Sequence, residues 1–199
     1  SMLSVIARQY AQENSNIYDL GCSLGAASLA MQQGLKTKMC KMIGIDNSPA
    51  MIDLCNKNIS QYTKDNKIHF ELSDILQSTI KNASIVVMNF TLQFVPLDKR
   101  LSLINKIYEG LLPSGVLILS EKILFDDETE NNTMYELHHH MKALNGYEQL
   151  EIANKRDALE KVLMPETLND HQERIKKVGF EYSVVWLKCL NFVSLIAKK

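Results

Sequence analysis

The stretch from Asn16 to Leu35 constrains this chain more than any other. An apolar run, NIYDLG, passes through CSLG into AASLAMQQGL with no break between them. The run reads as a short buried strand ending in glycine. The segment after it reads as a helix with Leu24, Ala27, Leu29, Ala30 and Met31 at its apolar positions. A strand that turns through glycine into a helix brings backbone close to whatever lies above it, because no Cβ blocks the approach and the helix start offers unpaired N–H groups. Gly21 and Gly25 are therefore candidate ligand contacts, and Asp19 ends the strand beside them. Ser23 stands where a G-x-G-x-x-G pattern has its second glycine, which weakens a phosphate-binding reading. A turn with no ligand is the alternative.

The unit then repeats. KMIGID reads as a second strand, Ser48 as the N-cap of the next helix, and Pro49 as its first residue, with the helix running to about Ile59. KIHFELSD, SIVVMNF and GVLILSE read as further strands, and LSLINKIYEGLL as an amphipathic helix closed by Pro113-Ser114-Gly115. Continuous apolar strands alternating with helices predict an α/β fold, a mostly parallel sheet covered on both faces. From Asp126 to Leu163 the pattern becomes polar and helical, TMYELHHHMKAL and YEQLEIANKRDALEKVL, and is read as a helical cap inserted after strand five. HQERIKKVGF, EYSVVWLKC and NFVSLIAKK then give a helix and two strands close enough to pair as an antiparallel hairpin, a closure that favours a methyltransferase-type, seven-stranded Rossmann-like sheet over a dehydrogenase. Leu3, Ile6, Ala7 and Tyr10 have helical spacing with no cap before them, so the 199 residues are expected to form one domain whose first helix has residues ahead of it.

Composition narrows the function classes. Twenty-two basic against 23 acidic residues leave a net charge of -1, which provides no field for a nucleic-acid backbone. No apolar run is long enough for a membrane span, no export signal is evident, and four cysteines without metal spacing fit a reduced, cytoplasmic protein.

Asp46 closes the second strand, 21 residues after Gly25, near the spacing at which a carboxylate accepts bonds from ribose hydroxyls. With Ser48 capping the helix, Asp46 is expected to be free for a ligand, and Asn47 is either a second ribose contact or a turn residue. Asp74-Ile75, after the third strand, suits an adenine or an ordinary turn equally. Asn89 lies within an apolar strand, where a buried amide needs partners. Phe90, Leu92 and Phe94 read as core or pocket wall, and Glu121 and Lys122 as weak acid/base candidates at the crevice edge. His138, His139 and His140 point about 100° apart on a helix and cannot converge on a metal. Arg156 with Glu160 reads as a surface ion pair; Lys36, Lys38, Lys41, Lys176 and Lys177 read as solvated faces.

Taken together, YDLGCSLGAA, IDNSPAMI, NFTLQF, LSEK, NGY, LEI with the KR at 155 and 156, and VGFE resemble the bacterial carboxy-S-adenosyl-L-methionine synthases over essentially the whole chain. The resemblance implies a class I methyltransferase fold that makes carboxy-S-adenosyl-L-methionine from S-adenosyl-L-methionine. Prephenate is the carboxyl source and phenylpyruvate the by-product, in the pathway that modifies tRNA wobble uridine. It implies that the sulfonium methyl loses a proton and the resulting ylide captures the carbon dioxide lost from prephenate. By the same resemblance, Gly21, Cys22 and Ser23 line the methionine part, Asp46 and Asn47 the ribose, and Asp74 and Ile75 the adenine. Asn89 lies near the reacting end and Arg156 holds the transferred carboxylate. A homodimer is implied, as is a cofactor-touching tyrosine upstream of Ser1; a metal is not. An ordinary small-molecule methyltransferase and a non-catalytic binding module are the competing readings, and Arg156 separates the first of these from a synthase.

Overall fold

A computed structural model describes residues 1–35, 38–62, 68–146 and 162–199. In chain order the elements are α1 (Met2–Tyr10), β1 (Asn16–Leu20), α2 (Ala26–Gly34), β2 (Lys41–Asp46), α3 (Pro49–Tyr62), β3 (Ile68–Leu72), β4 (Ala83–Asn89) and a 3-10 turn (Leu92–Phe94). They continue with α4 (Leu97–Gly110), β5 (Leu111–Leu124), α5 (Glu128–Leu144), β6 (Glu166–Thr167), α6 (Leu168–Val178), β7 (Tyr182–Cys189) and β8 (Phe192–Lys198).

The sheet order is β3-β2-β1-β4-β5-β8-β7. The first five of these strands run parallel, while β8 is antiparallel to both β5 and β7. The expected C-terminal hairpin is thus present and inserts its second strand against β5. Strand alternation divides the core into two layers. Val86 and Met88 of β4 join Leu103, Ile104 and Ile107 of α4 on one face, while Ile85 and Val87 join Ile6, Met31 and Ile52 from α1, α2 and α3 on the other.

Three sequence expectations need correction. Leu111 and Leu112 belong to β5 rather than to the preceding helix. A Cβ on Gly110 would stand 2.5 Å from the Ile80 carbonyl, so α4 ends tight against that loop and Leu111 pairs with Ala83. An eighth strand, β6, pairs parallel with Ile123 and Leu124, too short at two residues to leave a periodic signature. Lys38 is not a free surface cation, since its ammonium donates to the Arg8 and Ala11 carbonyls at the end of α1.

The polar insertion begins as the helix α5, whose N-cap Asp127 accepts from the Glu130 N–H at 2.9 Å. The helix buries no residue. Residues 147–161, and with them Arg156, Glu160 and most of the second expected helical stretch, lie outside the described residues, as does Lys36. Lys176 and Lys177 are exposed on α6, which starts at a capping box between Thr167 and Asp170 and ends at Gly179 in the left-handed conformation.

Candidate active site

Above the carboxyl ends of β1 to β4 lies a cleft of about 460 Å³, well within the ~300–1,000 Å³ usual for small-molecule sites. Its floor is the glycine turn. Gly21 (φ +76°), Ser23 (φ +47°) and Gly25 (φ +77°) all adopt left-handed backbone, and only glycine does so at little cost. At Gly21 the requirement is also spatial, since a Cβ would lie 2.4 Å from Thr91 Oγ1. The Gly21 and Cys22 N–H groups both donate to the Ile45 carbonyl, at 2.8 and 3.0 Å, which stitches the turn to β2.

Asp46 ends β2, and its carboxylate is not wholly free for a ligand, as the sequence suggested, but also bonds the protein's own backbone. Oδ2 accepts from the Ser23 N–H and Oδ1 from the Ser48 N–H, each at 2.9 Å. The residue holds the turn and the approach to α3 together, because the chain folds back on the strand end at both points. A carboxylate has about four lone-pair sites, so two acceptor positions remain for a ligand's hydroxyls. Asn47 lines the cleft next to it. Asp74 and Ile75 form the far wall after β3; Asp74 Oδ1 accepts from the Leu76 N–H at 2.8 Å, and Ile75, partly buried against the core, lines the cavity beside it.

Asp19, Cys22 and Gly25 sit beneath the turn rather than on the cleft lining. Asp19 is 1% exposed and accepts from Ser28 Oγ at 2.6 Å, tying β1 to α2; burial raises its pKa to about 6, with the Ser28 bonds opposing. Burial likewise pushes the Cys22 thiol up. At Gly25 an added Cβ would meet Phe70 at 3.0 Å and Cys55 Sγ at 3.3 Å, so this glycine serves packing below the site.

The opposite wall runs along β4. Asn89 is exposed to the cleft, not buried as its apolar strand implied, because it is the last strand residue and the chain turns away at Phe90 (φ +59°). The Phe90 N–H donates to the Ser120 carbonyl at 2.7 Å. Beyond it, Thr91, Leu92 and Gln93 donate their N–H groups to the Glu121 carboxylate at 3.1, 2.7 and 3.2 Å. Glu121 is 1% exposed and three of its lone-pair sites are taken by that turn, so it does not face the cleft as an acid/base group. Burial raises its pKa to about 7 against those three bonds and the charge of Arg100. Leu92 is core, while Phe94 lines the cleft.

Arg100, fully buried on α4, completes this wall and was not evident from the sequence. It donates to the Val95 carbonyl at 2.9 Å and to the Met164 carbonyl at 2.7 Å, and pairs with Glu166, which also pairs with Arg174. Burial alone would raise the Glu166 carboxyl, but its bonds to Arg100 and Arg174 leave it below the usual range. The Met164 N–H donates to the Gln93 carbonyl at 2.9 Å, so the chain returning from the insertion is fastened to the cleft wall. An arginine in an amphipathic helix gives no sequence sign of burial. Lys106 was equally unforeseen; it donates to the carbonyls of Ile75, Leu76 and Ser78 and holds the loop that carries the far wall.

Among the described residues no cluster of His, Cys, Asp and Glu is arranged to hold a metal. His138 packs edge-on to Phe192 with centroids 4.9 Å apart, and burial with nearby cations lowers its pKa to about 4. No described helix is long and apolar enough to cross a membrane.

A mostly parallel sheet with one antiparallel strand beside β5, a glycine turn after β1 and an acidic residue ending β2 define the class I methyltransferase fold. A methyltransferase-domain family model matches residues 11–181. Magnesium protoporphyrin IX methyltransferase from Synechocystis PCC 6803, solved with bound SAH, superposes with a TM-score of 0.68 at 14% identity, covering 100% of this chain and 80% of that one. Within this class the relation is much closer to one group. Carboxy-S-adenosyl-L-methionine synthase of Vibrio parahaemolyticus is 47% identical over 199 residues, 100% of this chain and 81% of the relative. That of Marinobacter nauticus is 48% identical over 198 residues, 100% and 79% respectively. The chain belongs to the carboxy-S-adenosyl-L-methionine synthase family, a family of transferases.

Proposed function

We propose that this protein converts S-adenosyl-L-methionine and prephenate to carboxy-S-adenosyl-L-methionine and phenylpyruvate. Its product would serve tRNA wobble-uridine modification in the cytoplasm, and the active form is a homodimer that neither binds nucleic acid directly nor needs a metal. The single observation that carries the reading is the cleft floored by Gly21 and Ser23 and walled by Asp46, Asp74-Ile75 and Asn89 in a chain of this family. When bound, S-adenosyl-L-methionine supplies an acidified methyl group on its sulfonium.

Each part of the cofactor would meet its own set of residues. Gly21 and Ser23 give the methionine portion close backbone, with Cys22 and Gly25 shaping the turn from below. Asp46 uses its two remaining acceptor sites on ribose hydroxyls, beside Asn47. Asp74 takes the exocyclic amine of adenine and Ile75 covers the ring. Asp19 acts through the turn it anchors. The side-chain amide of Asn89, which makes no hydrogen bond to another described residue, faces the reacting end. Arg156 holds the incoming carboxylate through two parallel bonds, geometry suited to a guanidinium. The overall step balances: prephenate gives up its ring carboxyl group and ring hydroxyl, the methyl carbon gains the carboxyl and loses a proton, and proton and hydroxyl leave as water. Catalysis here rests on orientation and charge placement.

The test is mass spectrometry of reactions containing S-adenosyl-L-methionine with and without prephenate. A product heavier than S-adenosyl-L-methionine by one carboxyl group, formed only with prephenate, is expected. Formation of the demethylated product alone would instead make the protein an ordinary methyltransferase. Arg156→Ala should weaken the carboxylated compound far more than S-adenosyl-L-methionine.

A further inference from the structure

A second cavity, of about 250 Å³, adjoins the cleft at its Asn89 end, and Asn89 and Phe90 line both. Its remaining walls include Trp186 on β7, Phe192 and Val193 on β8, and Met2 on α1. Phe90 and Phe192 meet edge to face, with centroids 5.7 Å apart and planes at 87°. Phe90 is held there against its backbone preference, at φ +59° with its N–H on the Ser120 carbonyl, the kind of local strain that accompanies functional sites. The Ser120 and Ser194 hydroxyls bond to each other at 2.8 Å. Trp186 differs. Its indole nitrogen is buried and has no acceptor among the described residues, an uncommon condition for a buried donor.

We infer that this cavity is the subsite for the six-membered ring of the carboxyl donor, with the Trp186 indole N–H donating to an oxygen of that donor and Phe90 forming the wall it shares with the S-adenosyl cleft. The inference rests on the synthase reading above. Direct transfer to the cofactor's methyl carbon requires the donor within about 3–3.5 Å of it, so the donor site must open onto the Asn89 end. Another cavity touches the cleft at Leu76, but that is the adenine side, remote from the reacting carbon. The lining also suits the chemistry. Prephenate carries its carboxyl on a tetrahedral ring carbon; when carboxyl and hydroxyl leave, the ring becomes a flat benzene. Edge-to-face walls such as Phe90 and Phe192 favour a flat aromatic ring, so contact improves as the step proceeds, which is where binding accelerates a reaction.

Trp186 is the chain's one tryptophan, which makes it a site-specific reporter. With 5-fluorotryptophan incorporated, a single fluorine NMR resonance should shift saturably as prephenate or phenylpyruvate is added to protein holding S-adenosyl-L-methionine. Trp186→Phe, which keeps an aromatic wall and removes the donor, should raise KM for prephenate by about fivefold or more while KM for S-adenosyl-L-methionine stays put; a purely structural role would not separate the two. Cys189→Phe, placing bulk on an exposed wall residue, should abolish the shift. Carboxy-S-adenosyl-L-methionine formation with a silent resonance and an unchanged prephenate KM in Trp186→Phe would overturn the subsite and leave the synthase reading standing. A shift by phenylpyruvate without any carboxylated product would remove the synthase reading and with it the donor role, leaving the cavity a pocket for an aromatic acid.

Discussion

On the β1–β2 side of the cleft, the residues that touch the cavity also hold it in shape: Asp46 braces Ser23 and Ser48, and Gly21 hangs from the Ile45 carbonyl. On the β4 side the residues that touch the cavity are held by others that do not. The turn at 91–93 hangs from Glu121, about thirty residues away, and its end is fixed by Arg100, which reaches on to Met164 and Glu166 more than sixty residues further along. The first side is built from short polar links at strand ends, exposed enough to be shared with a ligand. The second is built from buried charge, which is rigid when fully paired and expensive when one member is lost. The comparison predicts that damage to the first side will show mainly in ligand binding and damage to the second mainly in stability.

The largest effect is expected from Arg100→Met. Removing the guanidinium leaves Glu166 short of a partner and the Val95 and Met164 carbonyls without their donor, at a cost of about 3–5 kcal/mol. At ~2–4 °C per kcal/mol for a chain of this size, the melting temperature should fall by about 10 °C in a thermal scan. A loss under about 1 kcal/mol would break the contrast between the two sides.

Glu121→Gln should alter how stability depends on pH. The folded protein binds this proton more tightly than an ordinary carboxyl at 4.5 does, since the group titrates near 7. Its destabilising contribution is therefore absent below about pH 4.5, grows as pH rises through 7, and reaches about 3 kcal/mol above that. His138 and His171, both lowered to about 4, act in the opposite sense, their contribution being present above 6.5 and lost as pH falls. They are common to wild type and variant, so the difference between the two denaturation curves isolates Glu121. A difference independent of pH between 4.5 and 7.5 would contradict the burial account.

Gly21→Ala should weaken S-adenosyl-L-methionine binding by about tenfold or more, because the left-handed backbone costs about 1–2 kcal/mol for a residue with a Cβ and the new methyl displaces Thr91 at the cleft wall. Calorimetry of the double variant with Thr91→Gly should recover part of the loss; failure to recover would place the defect in the turn alone. The smallest change is expected for Asp46→Asn, about tenfold in affinity from one weakened charge-assisted bond, with a melting temperature close to wild type. A large stability loss there would erase the distinction between the sides.

The same division explains what could be read in advance. Strand-end positions such as Asp46 and Asp74, and the glycine turn, carry local signatures, since period, turn residues and spacing act within a few residues of one another. The parallel sheet, its antiparallel closure and the cleft's location came from those patterns. What misled was local plausibility. Asp46 looked free because Ser48 is a good cap, Asn89 looked buried because its strand is apolar, and Glu121 looked available because it comes after a strand near the crevice.

By itself, then, the sequence determined the order of elements, the place of the glycine turn and which strand ends carry acidic or amide groups, because those depend on hydrophobic period and backbone geometry along the chain. Only the tertiary structure decided that Glu121 and Arg100 would be buried as the frame of the cleft wall, that Lys106 would hold the loop after β3, and that Phe90, Trp186 and Phe192 would line a second cavity. The physical reason is common to all of them. A charged or aromatic side chain has the same pattern in the sequence whether it faces water or a neighbour dozens of residues away, and its burial, partners and titration are set only when distant segments close around it.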